Sequence, residues 1–360
     1  MGIREKILWW AAKRRIAKDK PKIIAIGGAI AKTSTKTALG ELLNQQFPTQ
    51  VRVGYGNLNS LLGVPLSIFG FELDFYKQKI GYFAWFKILL RAILRSFFKK
   101  LPKILVLEYG TDQPGDIEAI TEQLPPDIGV ITIVGPAHLA NYPSMREVVK
   151  DEGYIAERTK QNGIVFVNSS DEFLTDYYRR AKARVVNVIT PLELIAQKFT
   201  EAIAIELGVE RELIKEYIKN IKRPEHRLNI IELGDVTLID DTYNSSPLAV
   251  KAALHVLKKF PGRKVAILGS MKELGSDSEK YHQQIGQYAQ KYCDEIVAVG
   301  LEAKHFGARR CYSSSAEASA KVVEFIEKGD TVLVKGSKSV NMQVIVDRIK
   351  NKFGGENVDI

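Results

Sequence analysis

Cysteine is scarce: Cys293 and Cys311 are the only two in 360 residues. Two isolated cysteines make no CxxC zinc site and no disulfide framework, which fits a reducing cytoplasm. Near the start there is no long apolar core followed by a small-residue cleavage site, so no secretory signal is expected. The greasiest stretch is interrupted by charge too often to span a bilayer. No internal repeat, low-complexity run, zinc-finger spacing or RNA-recognition signature is visible. What remains is an ordinary globular composition, 45% hydrophobic and 26% charged, with room for two or three domains.

The net charge of +10 is concentrated in two places. Residues 1–22 carry eight Lys and Arg against Glu5 and Asp19. Residues 77–103 carry eight more and no acid, so the rest of the chain is slightly acidic. Both segments look amphipathic. Residues 81–101 read GYFAWFKILLRAILRSFFKKL, with Lys87, Arg91, Arg95 and Lys99 at four-residue intervals and aromatics on either side. On a helix those cations form one stripe. Trp9 and Trp10 beside Lys13, Arg14 and Arg15 repeat the pattern. Three readings stay open: contact with an anionic membrane surface, a helix docked on its own protein with a solvated cationic face, or nucleic acid, the least supported.

Residues 22–40, KIIAIGGAIAKTSTKTALG, carry the clearest chemistry. A buried-strand run meets a small-residue turn, which delivers Lys32, Thr33, Ser34 and Thr35 to a helical start. A strand, a Gly-rich turn containing Gly28, and Lys-Thr at a helix N-terminus form a phosphate cradle. The residue before the lysine is Ala31, where such loops normally have glycine. That position often needs a positive φ, which alanine tolerates poorly. A strand–turn–helix with incidental Lys and Thr is the alternative.

Strand and helix patterns alternate along the rest of the chain. The expected strands are 23–26, 103–107 ending at Glu108, 128–133, 163–167 and 184–188. The expected helices are 35–46, 116–123, 145–158 and 192–207. This predicts a P-loop-type, mostly parallel α/β sheet over residues 21–223, preceded by a basic helix at 1–20 and interrupted by the basic segment 77–103. A boundary near 222–224 introduces a Rossmann-like α/β unit over 224–360, opening with a hairpin at Gly234-Asp235 and lacking a GxGxxG of its own. Ligands belong at the carboxyl ends of such strands.

Seven strings then coincide in order: IAIGGAIAKTSTKT (24–37), NLNSLLGVPLSI (57–68), VLEYGTDQPGDI (106–117), ITIVGPAHLANYPS (131–144), HRLNIIELGDVTLIDDTYNSSP (226–247), PGRKVAILGSMKELG (261–275) and GDTVLVKGSKS (329–339). Together they resemble the Mur ligase superfamily, most closely the branch that adds D-Ala-D-Ala to a muramoyl tripeptide. The resemblance implies an ATP- and Mg²⁺-dependent ligase: an acceptor carboxylate becomes an acyl phosphate, and an amino acid or dipeptide attacks it. By that resemblance Lys32 meets the β/γ-phosphates, Thr33 and Glu108 hold Mg²⁺, and His138 lies near a second metal or the acyl phosphate. Arg227, Asp240, Tyr243 and Asn244 meet the nucleotide, and Lys335 and Ser337 approach the incoming amino acid or the nucleotide. The DDTYNSSP and ELGDVTLID strings favour a muramoyl-peptide-like acceptor over a folate or poly-amino-acid one.

Departures accompany the matches. Gly27 replaces a Thr, Leu61 a Glu, Ser270 an Asp, and His226 a Gly. Glu152 aligns with a lysine that the family carries as a carbamate. Its two oxygens can replace that group without CO₂, unless it is one more surface acid. Asn168–Pro191 is short, and the helix after it lacks the family's nucleotide-binding asparagines. A basic segment of about twenty residues stands in place of the domain that grips the UDP-sugar. Two readings follow: a ligase whose acceptor is presented at the inner face of a membrane, or a Mur-fold scaffold there that has lost catalysis.

Overall fold

The computed structural model describes residues 1–73, 80–137, 139–221 and 223–354. The chain divides into two compact units, Met1–Val134 with Tyr142–Lys222, and Gly135–Asn141 with Arg223–Ile360.

The first unit is built on six parallel strands: β1 (Lys22–Gly27), β2 (Val51–Val53), β3 (Ile104–Glu108), β4 (Ile128–Ile131), β5 (Ile164–Asn168) and β6 (Arg184–Val188), in the order β2-β3-β1-β4-β5-β6. Ile23, Ile24, Ala25 and Ile26 of β1 are all buried, because helices cover both faces of a parallel sheet and leave no polar side. Helices α1 (Ile3–Asp19), α2 (Lys32–Gln46), α3 (Gly63–Phe69), α4 (Tyr82–Phe98), α5 (Asp116–Gln123) and α6 (Met145–Glu152) follow in chain order. After β1 the chain runs to the far edge, returns as β3, and then crosses to β4 on the other side of β1. The crevice at this switch gathers the carboxyl ends of β1, β3 and β4.

Basic helix α1 is part of this unit. Leu8, Trp9, Ala11 and Ala12 are buried, and the Trp9 indole N–H donates to the Leu61 carbonyl at 2.8 Å. Asp19 pairs with Arg15 and accepts the Leu101 N–H at 2.6 Å. Helix α4 docks through Trp85, Ile88, Ala92 and Ser96. The expected cationic stripe on α4 is incomplete: Arg95 turns inward, donates to the Phe69 carbonyl at 2.8 Å and stacks over Phe71. Lys87 and Arg91 stay exposed, and Lys77 and Lys79 lie outside the described residues.

Several boundaries differ from the sequence expectation. Helix α2 begins at Lys32, not Thr35. The helix expected over 145–158 divides at Gly153 into α6 and a short helix Tyr154–Arg158. There the Arg180 guanidinium donates to the Lys150 carbonyl, and a Cβ on Gly153 would meet Arg180 Nη1 at 2.2 Å. Strand β2 and helix α3 show no period in the sequence, being too short to display one.

The second unit holds β7 (Asn229–Leu233), β8 (Val236–Asp241), β9 (Lys264–Gly269), β10 (Glu295–Val299), β11 (Arg310–Tyr312) and β12 (Thr331–Lys335), ordered β11-β10-β9-β12-β8-β7. Only β7–β8 is antiparallel, closed by Gly234 at φ +61° as the Gly-Asp turn predicts. One buried cluster lies around Val265, Val332 and Ile345 and another around Ala266, Leu254 and Ile285, so both faces are covered.

His282 is fully buried here. Its Nε2 accepts the Met271 N–H at 2.9 Å, and Nδ1–H donates to the Ser278 carbonyl at 2.7 Å. Burial lowers its pKa from 6.5. The unfolded chain therefore takes up a proton first, and stability falls as pH drops below 6.5, by at most about 1.4 kcal/mol per pH unit for one proton. Urea unfolding at pH 7.5 and 5.5 is expected to show this loss, and His282→Gln, which keeps an acceptor for Met271, is expected to lose less.

Candidate active site

The first unit places a loop between β1 and α2. Gly28 has φ +113°, and a Cβ there would meet the Thr132 hydroxyl at 2.2 Å. That hydroxyl donates to the Ile30 carbonyl at 2.7 Å and stands 3.0 Å from the Gly27 carbonyl, while the Ala29 N–H donates to Ile133. The loop is thereby stitched to the end of β4. Ala31 then adopts φ +62°, ψ +4°, the left-handed conformation glycine would take freely. The first bond of α2 runs from the Thr35 N–H to the Ala31 carbonyl at 2.8 Å. The N–H groups of Lys32, Thr33 and Ser34 precede it at the positive end of the helix, as an anion requires. Lys32 Nζ folds back over the turn to the Gly28 carbonyl at 2.5 Å.

Glu108, at the end of β3, is buried. It accepts the Thr33 hydroxyl at 2.9 Å and the Asn59 amide at 3.0 Å, and pairs with Lys36 Nζ at 3.3 Å. Lys36, one turn beyond Lys32, also donates to the Gly56 carbonyl. Glu152 is 2% exposed, so it is not a surface acid. Its Oε2 accepts the Gly28 N–H at 2.8 Å. A Cβ on Gly27 would meet this oxygen at 2.7 Å and Ile155 Cδ1 at 2.2 Å. The side chain absent at Gly27 is thus the space that Glu152 and Ile155 fill. Next to Glu152, Asp151 accepts the Thr111 and Tyr142 hydroxyls at 2.7 and 2.6 Å, which fixes the end of α6.

In the second unit, the carboxyl ends of β8 and β12 carry the remaining residues. His226 has φ +59°, so it too holds a left-handed conformation at a position where the resembled family has glycine. Its Nδ1 lies 2.8 Å from Asp240. Asp240 is buried and also accepts the Thr242 hydroxyl at 2.7 Å. Arg227 stacks over the Tyr243 ring at 4.0 Å. Asn244 is exposed. Lys335 is buried, with Nζ 2.6 Å from Asp241 and 2.9 Å from the Asn244 carbonyl. Ser337 is buried, and its Oγ accepts the Lys272 N–H at 2.9 Å.

Gly28, Lys32, Thr33, Ser34, Glu108 and Glu152 therefore surround one loop in the first unit. Arg227, Asp240, Tyr243, Asn244, Lys335 and Ser337 gather in the second. His138 lies outside the described residues. Lys36, Asn59, Thr132 and Asp241 were not read from the sequence. The repeat of lysine four residues after Lys32 was the available signal for Lys36; the others depend on strand pairing.

The Mur ligase middle domain matches residues 26–206, and the Mur ligase glutamate ligase domain matches 226–338. The chain belongs to the Mur ligase family. This Mur ligase is of the MurF kind, in a family of ATP-dependent carbon–nitrogen ligases. A UDP-N-acetylmuramoyl-tripeptide–D-alanyl-D-alanine ligase of Rickettsia prowazekii is 25% identical over 91% of this chain and 78% of its own length. MurF from Acinetobacter baumannii has a TM-score of 0.80 at 25% identity, covering 96% of this chain and 80% of that one. MurF from Thermotoga maritima in complex with ADP, 22% identical, shares the fold with a TM-score of 0.79 over 97% of this chain and 84% of that one.

Left-handed alanine costs about 1–2 kcal/mol, while glycine adds roughly 0.5–1 kcal/mol of unfolded-state entropy. Ala31→Gly is accordingly expected to raise stability by up to about 1 kcal/mol in urea unfolding and to leave nucleotide affinity equal or tighter. Loss of stability would mean that the methyl group makes a packing contact that outweighs the strain.

Proposed function

We propose that this chain is an active MurF-type ligase, joining an amino acid or dipeptide to the carboxylate of a muramoyl-peptide-like acceptor at the expense of ATP. The observation that carries this is the Thr33 hydroxyl 2.9 Å from Glu108 beside the strained turn at Ala31. Strained backbone persists where the surroundings over-determine it, and it concentrates at functional sites.

The γ-phosphoryl group passes to an acceptor carboxylate oxygen, and ADP leaves. The amine attacks the acyl carbon, the bond from that carbon to the phosphate oxygen breaks, and the amide forms with loss of a proton. Lys32 exchanges the Gly28 carbonyl for the β/γ-phosphates, and the N–H groups of residues 32–34 take phosphate oxygens. Thr33 and Glu108 supply hard oxygen donors for Mg²⁺, with Asn59 and Lys36 fixing the carboxylate. One or two carboxylates together with phosphates and water suit Mg²⁺. When bound, Mg²⁺ neutralises charge on the transferring group.

Glu152 supplies a second carboxylate at the loop and needs no CO₂ to do so. His138 keeps the role near the acyl phosphate or second metal that the resemblance gives it. Arg227, Tyr243 and Asn244 meet the nucleotide. Asp240, Lys335 and Ser337, all buried, position the loops that carry those contacts. The acceptor in this reading is met at an anionic membrane surface, supported by the exposed aromatic and basic face of α4.

Calorimetry with ATP and Mg²⁺ tests the assignment. Micromolar binding is expected, weakened at least ~10-fold by Lys32→Ala, or about 1.4 kcal/mol. Absence of binding by the unaltered chain overturns the ligase reading. Glu152→Gln keeps an acceptor for the Gly28 amide but removes the charge. It is expected to retain ATP binding while losing part of its Mg²⁺ dependence, and ligation by the unaltered chain is expected to be indifferent to bicarbonate removal.

A further inference from the structure

Helix α4 is apolar around more than half of its circumference, which is more than docking uses. One side, Trp85, Ile88 and Ala92, is buried in the fold. The other carries Tyr82, Phe83, Phe86, Leu90 and Phe97, all exposed, with Phe83 at 69% and Phe86 at 61%. At 100° per residue these centre about 130° around the helix from the docked residues, on the solvent side. Phe98 at the helix end is 84% exposed, and Trp10 of α1, also exposed, extends the patch with its ring 6.3 Å from that of Phe97. A contiguous exposed aromatic face of this kind marks an interaction site.

Cations stack on its rings and border it. Lys87 lies over the Phe83 ring at 4.4 Å, Arg14 over Phe97 at 4.1 Å and Arg4 over Tyr82 at 6.0 Å. Arg91, Lys99 and Lys100 are exposed nearby. Asp19, which could offset them, is taken up by Arg15 and the Leu101 N–H. Among the described residues no helix is long and apolar enough to cross a membrane. Aromatics on one face, interleaved with cations and with no acid across residues 77–103, match a helix lying in the interface of an anionic bilayer.

We propose that the α1–α4 surface docks this protein flat on a membrane rich in anionic lipid, with Phe83, Phe86 and Phe98 entering the headgroup boundary and Lys87, Arg91 and Arg14 meeting phosphates. The proposal names the surface for the membrane-met acceptor, but lipid binding is independent of catalysis.

The test is co-sedimentation of the full chain with phosphatidylcholine vesicles, with and without one quarter phosphatidylglycerol, at low and high salt. Binding is expected to the anionic vesicles, at least ~10-fold weaker to neutral ones, and to fall at least ~10-fold on raising salt from about 50 to 500 mM. Phe83→Ser with Phe86→Ser, and separately Lys87→Glu with Arg91→Glu, are each expected to weaken it at least ~10-fold while melting temperature and ATP affinity stay unchanged. No binding at low salt, equal binding to neutral vesicles, or a dimer in light scattering that only the aromatic variant breaks would each overturn the proposal. ATP binding without vesicle binding would sink this docking alone; vesicle binding without ATP binding would sink the ligase reading alone.

Discussion

The left-handed turn at Ala31 is the constraint on which the first unit's site depends. It converts the end of β1 into the start of α2 within a few residues, so that Lys32, Thr33 and Ser34 open the helix directly after the turn. The turn is held from outside: the Thr132 hydroxyl and the Ile133 carbonyl tie it to β4, and Glu152 takes the Gly28 amide from α6. These bonds keep a non-glycine residue in a conformation that it would otherwise leave.

The same solution recurs at His226. There a left-handed residue replaces a glycine of the resembled family, and a side-chain bond to Asp240 anchors it. In both places a residue with a Cβ holds a positive φ, and neighbouring contacts offset its cost. Gly27 runs the other way. A side chain has been removed, and the room it leaves is filled by the carboxylate of Glu152 and by Ile155. Departures that look like damage when read singly are local exchanges of volume and strain.

Much of the fold was legible in the chain. Buried strand runs such as 23–26 and 163–167 alternate with helical periods, and Gly234-Asp235 marks its hairpin. Three-residue β2 and β11 left no period to read. The break at Gly153 depends on Arg180, which is distant in sequence and close only in the folded unit. In the site, Lys32, Thr33 and Glu108 stood out because a strand end and a helix start have recognisable local chemistry. Lys36, Asn59 and Asp241 did not, since each matters through the partner that folding brings to it. The resemblance gives Lys335 a role near the amino acid or the nucleotide, and the fold adds its buried partner, Asp241.

By itself the sequence determined the two α/β units, the small-residue turn leading into Lys32 and Thr33, and the placement of basic charge, because these rest on residue spacing and turn chemistry within a few positions. Only the tertiary structure decided that Ala31 accepts a positive φ, that Glu152 is buried against Gly28, and that α4 turns its aromatics outward. Each of those depends on which distant side chains occupy the adjoining volume, and spacing along the chain carries no record of that.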